Sequence, residues 1–175
     1  MVSEVTNVTI SEMLLPEFDQ EMKSTRKILE CVPDDKLEYK PHEKSMTLGR
    51  LASHVAELPH WVVETIDKDM LEVSPGQKPF LAASQAELLS AFDKNVTEGR
   101  AAIAGTSDEH LGKVWKFMFG GHLAFAMPRA AVLRSVVMNH MIHHRAQLGV
   151  YLRLNDVPIP GLYGPSADDK AAPKP

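Results

Sequence analysis

The sequence has one cysteine and no run of basic residues, and each absence excludes a class of protein. Cys31 is the only cysteine among 175 residues, so a disulfide framework is excluded and a reducing cytoplasm fits the chain. Cys31 can be a reactive thiol, although free cysteines more often pack as small apolar residues. The 19 lysines and arginines are scattered and the net charge is −4, so the basic patch of a nucleic-acid-binding protein is missing.

Long apolar runs are also missing. None approaches the ~20 residues that a helix needs to cross a bilayer. Residues 1–5 lack the positive and apolar regions of a signal peptide. We therefore expect a cytoplasmic protein that binds neither membrane nor nucleic acid. With 44% hydrophobic residues, the chain suits one domain with a proper core, spanning residues 1–175.

Apolar residues recur at steps of three and four in four stretches, which predicts four amphipathic helices. Ser11, Thr47 and Ser84 are the predicted N-caps of the first three. Pro128 fits the first turn of the fourth helix, and Pro59 is expected to kink the second. The predicted helices cover residues 11–31, 47–68, 84–104 and 128–154. Because proline is tolerated only in a first turn, Pro16 leaves a later start of the first helix, at Leu14 or Leu15, as an alternative.

The connections are richer in proline and glycine. Residues 69–83 are predicted to be loop. Residues 106–129 are the least regular part, and either a small β-hairpin turning at Gly120-Gly121 or an extended excursion fits them. The tail at 157–165 is expected to pack back onto the body, and 167–175 to be disordered. The predicted fold is therefore all-α, a four-helix bundle with room for a small hairpin before the last helix.

Three histidines lie within five residues of the fourth predicted helix, at His140, His143 and His144. His140 and His144 are four apart, so they share one helix face, and this face carries the apolar stripe. A buried ring without a partner costs about 1–3 kcal/mol. Each ring therefore hydrogen-bonds to a core oxygen, or the two bind one metal ion. His143 points about 60° away from His140 and is expected to lie outside such a site.

The second helix offers a further histidine, His54, which can reach the interior beside its apolar stripe. Three imidazoles suit Zn, Ni, Fe or Cu and leave coordination positions open, as catalytic sites do. Glu57 lies three residues after His54 on the same side, where it can orient an imidazole, act as a base or remain a surface charge. His42 is a loop histidine that lies beside the site or in solvent. Neither a zinc-protease motif nor a di-iron carboxylate pattern is present.

Two segments, Lys44–Glu57 and Asn139–Arg153, resemble the DinB/YfiT-like superfamily of damage-inducible bacterial proteins. The resemblance extends over the first helix and the proline-rich tail. It implies an up-down-down-up four-helix bundle and a frequent homodimer. It also implies a divalent metal, often nickel or zinc. We keep Fe, Mn and Cu as further candidates. Carried over residue by residue, the implied metal ligands are His54, His140 and His144.

The resemblance leaves three functions open. Relatives include thiol S-transferases that use bacillithiol, mycothiol or glutathione, and a mycothiol-dependent isomerase, whereas others are labelled metal-dependent hydrolases. We favour a transferase acting on small electrophiles, because an open metal position binds a thiol as its nucleophilic thiolate. A hydrolase would need water at that position, with a pKa lowered to about 7, and a base such as Glu57 or His42. A non-catalytic metal-binding protein of the stress response is the third alternative.

Overall fold

The computed structural model describes residues 8–169, which are mostly helical with one small sheet. The longer helices are α1 (Ile10–Leu29), α2 (Leu48–Glu57), α3 (His60–Asp67), α4 (Gln85–Gly105) and α7 (His140–Arg153). Shorter helical segments are a 3-10 turn (Asp34–Lys36), α5 (Asp108–Gly112), α6 (Arg129–Val132) and a π-helical segment (Leu133–Asn139). The strands are β1 (Met70–Val73), β2 (Val114–Phe119) and β3 (His122–Pro128).

Helix α1 begins at a capping box that was not predicted. Thr9, rather than Ser11, is the N-cap, and its hydroxyl accepts a hydrogen bond from the Glu12 N–H at 3.2 Å. The Glu12 carboxylate accepts the Thr9 N–H at 2.8 Å in return. Two donors of the first turn are thereby satisfied, so the helix starts before Ser11 and accommodates Pro16 in its interior.

The second predicted helix is divided into α2 and α3. Thr47 caps α2 as predicted, accepting the Arg50 N–H at 3.2 Å. Pro59 lacks an N–H and cannot continue the ladder, so α2 ends at Glu57 and α3 begins at His60. The expected kink is therefore a break. Helix α2 packs between α4 and α7, which directs one of its faces toward the last helix.

A three-stranded sheet packs against α3 and α6. The hairpin β2–β3 is antiparallel, as one of the two alternatives predicted, and turns at Gly120 and Gly121, whose φ values are +56° and +79°. Strand β1 pairs in parallel with β2, so the prediction of loop throughout 69–83 was wrong. Its four residues carry too short a pattern to show in the sequence. Trp115 anchors the sheet, fully buried, with its indole N–H donating to the Glu64 carbonyl at 3.2 Å.

The last helix begins after Pro128, which closes β3 instead of opening the helix. The π-helical segment follows α6 and runs directly into α7 at His140. The expectation of a regular 3.6-residue period across this region was therefore wrong. Wider π turns shift the faces of the residues that follow them and are frequent at functional sites.

The C-terminal tail packs back onto the core, as predicted. The Tyr163 hydroxyl donates to the Glu21 carboxylate at 2.8 Å, and Arg145 pairs with Glu21 at 2.7 Å. Disorder was predicted from residue 167, but Asp168 accepts the Ile159 N–H at 3.0 Å. The rest of that prediction, residues 170–175, lies outside the described residues. Within residues 8–169, none of the helices has the length and apolar character needed to cross a membrane.

Candidate metal centre

The three histidines singled out in the sequence meet between α2 and α7. His140 Nε2 lies 2.9 Å from His144 Nε2 and 3.4 Å from His54 Nε2. One ligand atom from each residue lies within 4.8 Å of the other two, an arrangement that can hold a metal ion. The helical i, i+4 spacing brings His140 and His144 together, whereas His54 joins them only because α2 packs on α7.

All three imidazoles favour the neutral form. The pKa of His54 is lowered from its usual 6.5 to about 3, first by burial and then by the charges of the neighbouring histidines and of Arg50. Burial is also the largest cause lowering the pKa of His140 and of His144. Neutral imidazole is the form that binds metals, so the site is prepared for a cation at neutral pH.

Hydrogen bonds fix which nitrogen faces the centre. His140 Nδ1 lies 3.2 Å from the Val136 carbonyl oxygen, and His144 Nδ1 lies 2.8 Å from the Gln147 side-chain oxygen. Both partners are acceptors, so each Nδ1 carries the proton and each Nε2 presents a lone pair. Two such lone pairs 2.9 Å apart repel each other unless a cation lies between them.

The donor set fits a small divalent metal. Nitrogen ligands about 2.0–2.1 Å from a tetrahedral zinc are roughly 3.3–3.4 Å apart. The distances of 2.9 and 3.4 Å from His140 Nε2 to its two neighbours are close to that spacing. Three imidazoles leave at least one coordination position for another molecule. Imidazole suits zinc and nickel alike, so the donor set does not choose between them.

A cavity of about 430 Å³ opens beside His54. Arg50, Glu57, Trp61 and Lys78 contribute to its wall. The predicted base Glu57 therefore borders the same space as His54, although it is not part of the histidine cluster. Its catalytic role stays a prediction. The cavity gives a small molecule room next to the candidate metal centre.

The remaining candidates lie outside the cluster. His143 is exposed, and its ring centroid is 4.9 Å from that of His144, without joining the three converging nitrogens. His42 is exposed and accepts the Lys44 N–H at 3.2 Å, in a local turn. Cys31 packs partly against the core, and burial raises the pKa of its thiol. A raised pKa reduces the thiolate fraction, which agrees with a packing role for Cys31.

Sequence reasoning missed Arg50. It lies one helical turn before His54 on the same face of α2, and its Nη1 is buried without a hydrogen-bond partner among the described residues. Its spacing of four from His54 was the available signal. The helix that begins after Thr47 was predicted from its apolar stripe. That pattern gives no information about a cationic side chain beside a histidine.

The comparison with protein families matches the DinB family over residues 1–174. The chain belongs to the DinB family. The uncharacterized protein YrdA of Bacillus subtilis (strain 168) is 25% identical over 162 residues, which is 90% of each chain. Two crystal structures of DinB-like proteins share the fold of this family member. The first, from Bacillus cereus ATCC 10987, has a TM-score of 0.70 and 24% identity, covering 89% of this chain and 99% of that one.

The second DinB-like structure, YjoA of Bacillus subtilis, has a TM-score of 0.65 and 20% identity, covering 86% of this chain and 97% of that one. The family membership expected from the two histidine-bearing segments is thus confirmed. The fold is DinB-like and mostly helical with a small sheet. At these identities the two structures speak for the fold, and the chemistry has to be argued from the site itself.

Proposed function

We propose that this DinB family protein is a metal-dependent thiol S-transferase that joins a low-molecular-weight thiol to a small electrophile. The observation that carries the proposal is the set of three neutral imidazoles facing one point, beside a cavity of about 430 Å³. The proposed ligands are His54, His140 and His144, and the proposed metal is zinc or nickel, with Fe, Mn and Cu as less favoured candidates. We also propose the up-down-down-up helix order, a homodimer and a cytoplasmic location.

The chain's own residues would hold and orient the centre. Val136 and Gln147 accept the Nδ1 protons of His140 and His144, which keeps both rings turned with Nε2 inward. A divalent metal held there supplies an open coordination position that favours thiolate over thiol. Trp61 and the rest of the cavity wall displace water around the electrophile.

The reaction needs no reagent besides the thiol and the electrophile. The thiol gives its proton to solvent, and the thiolate sulfur then attacks the electrophilic carbon. A carbon–sulfur bond forms while the bond from carbon to the leaving group breaks, and the leaving group departs with the electron pair. This chemistry needs no dedicated base, which suits a site whose three inward side chains are all imidazoles.

The test is thiol-dependent consumption of chlorodinitrobenzene and related electrophiles by zinc- or nickel-loaded protein. Bacillithiol, mycothiol and glutathione are supplied separately. We expect consumption above the uncatalysed rate with at least one of them, and its loss in His144→Ala. His143→Ala, which removes an exposed ring next to the site, is the matched control and should retain the activity. No thiol-dependent rate with any of the thiols would refute the transferase.

One observation favours a hydrolase as the second candidate. Glu57 borders the cavity that opens beside His54, so a carboxylate is available to accept a proton from water. This alternative predicts hydrolysis that needs the metal but no thiol, and that falls at least ~100-fold in Glu57→Gln, as typical for a general base. Thiol-free activity that is unchanged in Glu57→Gln would exclude this role for Glu57. Metal binding without either activity would favour the non-catalytic alternative.

A further inference from the structure

Arg50 is a cation beside the candidate metal centre with no partner for part of its guanidinium. Nη1 is buried and makes no hydrogen bond to any described residue. None of the ion pairs formed within residues 8–169 includes Arg50. A buried donor left unsatisfied costs free energy, more so when it belongs to a charged group. Such a group is retained without cost only if something else binds it.

The acidic residues of the same cavity do not neutralise Arg50. Glu64 is already engaged by Lys68 at 2.8 Å and by His60 at 3.3 Å. Glu57 is seven residues along the same helix, which places it about 10 Å away along the axis. The carboxylates of this cavity therefore leave the positive charge of Arg50 without an ion-pair partner among the described residues.

Arg50 lies close to His54, the proposed metal ligand that borders the cavity. Arg50 and His54 are separated by four residues on α2, about 6 Å along the axis, and both border the same space. A molecule in this cavity that approaches His54 therefore also lies beside the Arg50 side chain. Guanidinium groups bind carboxylates and phosphates with two parallel hydrogen bonds, which also orients the bound molecule.

We propose that Arg50 is an anion-binding residue that holds a carboxylate or phosphate group of the substrate while the substrate's reacting atom lies at the three histidines. The molecule would carry its anionic group a few bonds from the reacting atom. The identity of that molecule as a thiol rests on the proposed function, but the binding of an anion by Arg50 can be measured without turnover. Arg50 is accordingly a specificity-determining residue: it selects anionic over neutral molecules of equal size.

A pair of thiols that differ in one charge provides the first experiment. Zinc-loaded protein is titrated calorimetrically with 3-mercaptopropionate and with 3-mercapto-1-propanol. We expect the wild type to bind the carboxylate about tenfold more tightly, the size of one charge-assisted hydrogen-bond pair in a half-buried site. Arg50→Met should abolish the preference, because it keeps the apolar stem and removes the donors. Arg50→Lys should retain part of it.

Lys78→Met is the matched control, since it removes one positive charge from the same cavity wall. The preference for the carboxylate should persist in this variant. Equal preferences in wild type and Arg50→Met would overturn the assignment, and so would an equal loss in Lys78→Met, which would assign the effect to overall charge. Circular dichroism and zinc content identify a variant that has failed to fold.

A second experiment separates this inference from the thiol chemistry. The ³¹P resonance of methylphosphonate is recorded with metal-free full-length protein, and its line broadening reports anion binding. We expect broadening with the wild type and with Lys78→Met, and its loss with Arg50→Met. If this pattern of broadening is found but no thiol-dependent turnover, the transferase proposal is refuted while the anion site at Arg50 is supported. Equal broadening with wild type and Arg50→Met would refute the anion site whatever the turnover.

Discussion

The hydrogen bond from His144 to Gln147 gives a sharp test of the candidate metal centre. His144 Nδ1 and the Gln147 side-chain oxygen are 2.8 Å apart, so Gln147 is the hydrogen-bond partner of a proposed metal ligand. Gln147→Met keeps the length of the side chain and removes the acceptor. The His144 ring then loses the partner that keeps its Nε2 facing inward, and its proton can move to either nitrogen.

The expected size follows from the exposure of the contact. Loss of such an outer hydrogen bond typically weakens metal binding by about 10–100-fold. Gln147 is exposed, so water can replace part of the lost bond, and the effect should be near the lower end. We expect about tenfold weaker zinc binding, equivalent to ~1.4 kcal/mol. Gln147→Glu should bind zinc at least as tightly as the wild type, because a carboxylate is the stronger acceptor.

The assay is competition for zinc against a chromophoric chelator at pH 7.5. Gln20→Met is the control, because Gln20 donates to Ser24 on α1, a helix that carries none of the three histidines. Its zinc affinity should equal that of the wild type. Affinities for Gln147→Met within twofold of the wild type would refute the role of this bond, and so would weaker binding by Gln147→Glu than by Gln147→Met.

Three further predictions concern ligands, pH and stability. By elemental analysis, His140→Ala and His144→Ala should lose the metal while His143→Ala keeps about one ion per chain; equal contents would contradict the ligand assignment. The pKa of His54 is about 3 in the folded chain, so the unfolded chain takes up a proton at higher pH than the folded chain does. Metal-free protein should therefore lose stability as pH falls from 6.5 toward 3. A melting temperature that is constant over this range would contradict the lowered pKa. Arg145→Met leaves the buried Glu21 carboxylate without its ion-pair partner, and the two side chains are only 2% and 7% exposed. Urea unfolding should show a free energy of unfolding that is lower by about 3–5 kcal/mol. A decrease below about 1 kcal/mol would show that the hydrogen bond from Tyr163 alone stabilises that carboxylate.

Much of the helical framework follows from local sequence. The caps Thr47 and Ser84 and the end of α4 at Gly105 are visible because a cap needs only the residues of one turn. The glycine turn between β2 and β3 is local in the same sense. The start of α1 was misjudged because Thr9 and Ser11 are both acceptable caps, and the capping box with Glu12 decided between them.

The candidate metal centre also has one part that follows from local sequence and another that does not. The pairing of His140 with His144 is a property of one helix, and it follows from their spacing alone. The third proposed ligand, His54, could be suggested from its place beside the stripe of the second helix. That it meets the pair did not follow from the pattern, because 86 residues separate it from His140 and no periodicity relates two helices. The orientation of the rings depends on the Val136 carbonyl, which lies in a π-helical segment that apolar periodicity does not reveal.

The sequence by itself determined most of the helical framework, the two-histidine pair and, by resemblance, the family. Only the tertiary structure decided that β1 pairs with β2, that His54 completes the cluster and that a buried nitrogen of Arg50 has no partner within residues 8–169. The reason is physical. Helix starts and i, i+4 contacts depend on neighbours within a turn, whereas strand pairing, burial and unsatisfied donors depend on segments far apart in the chain.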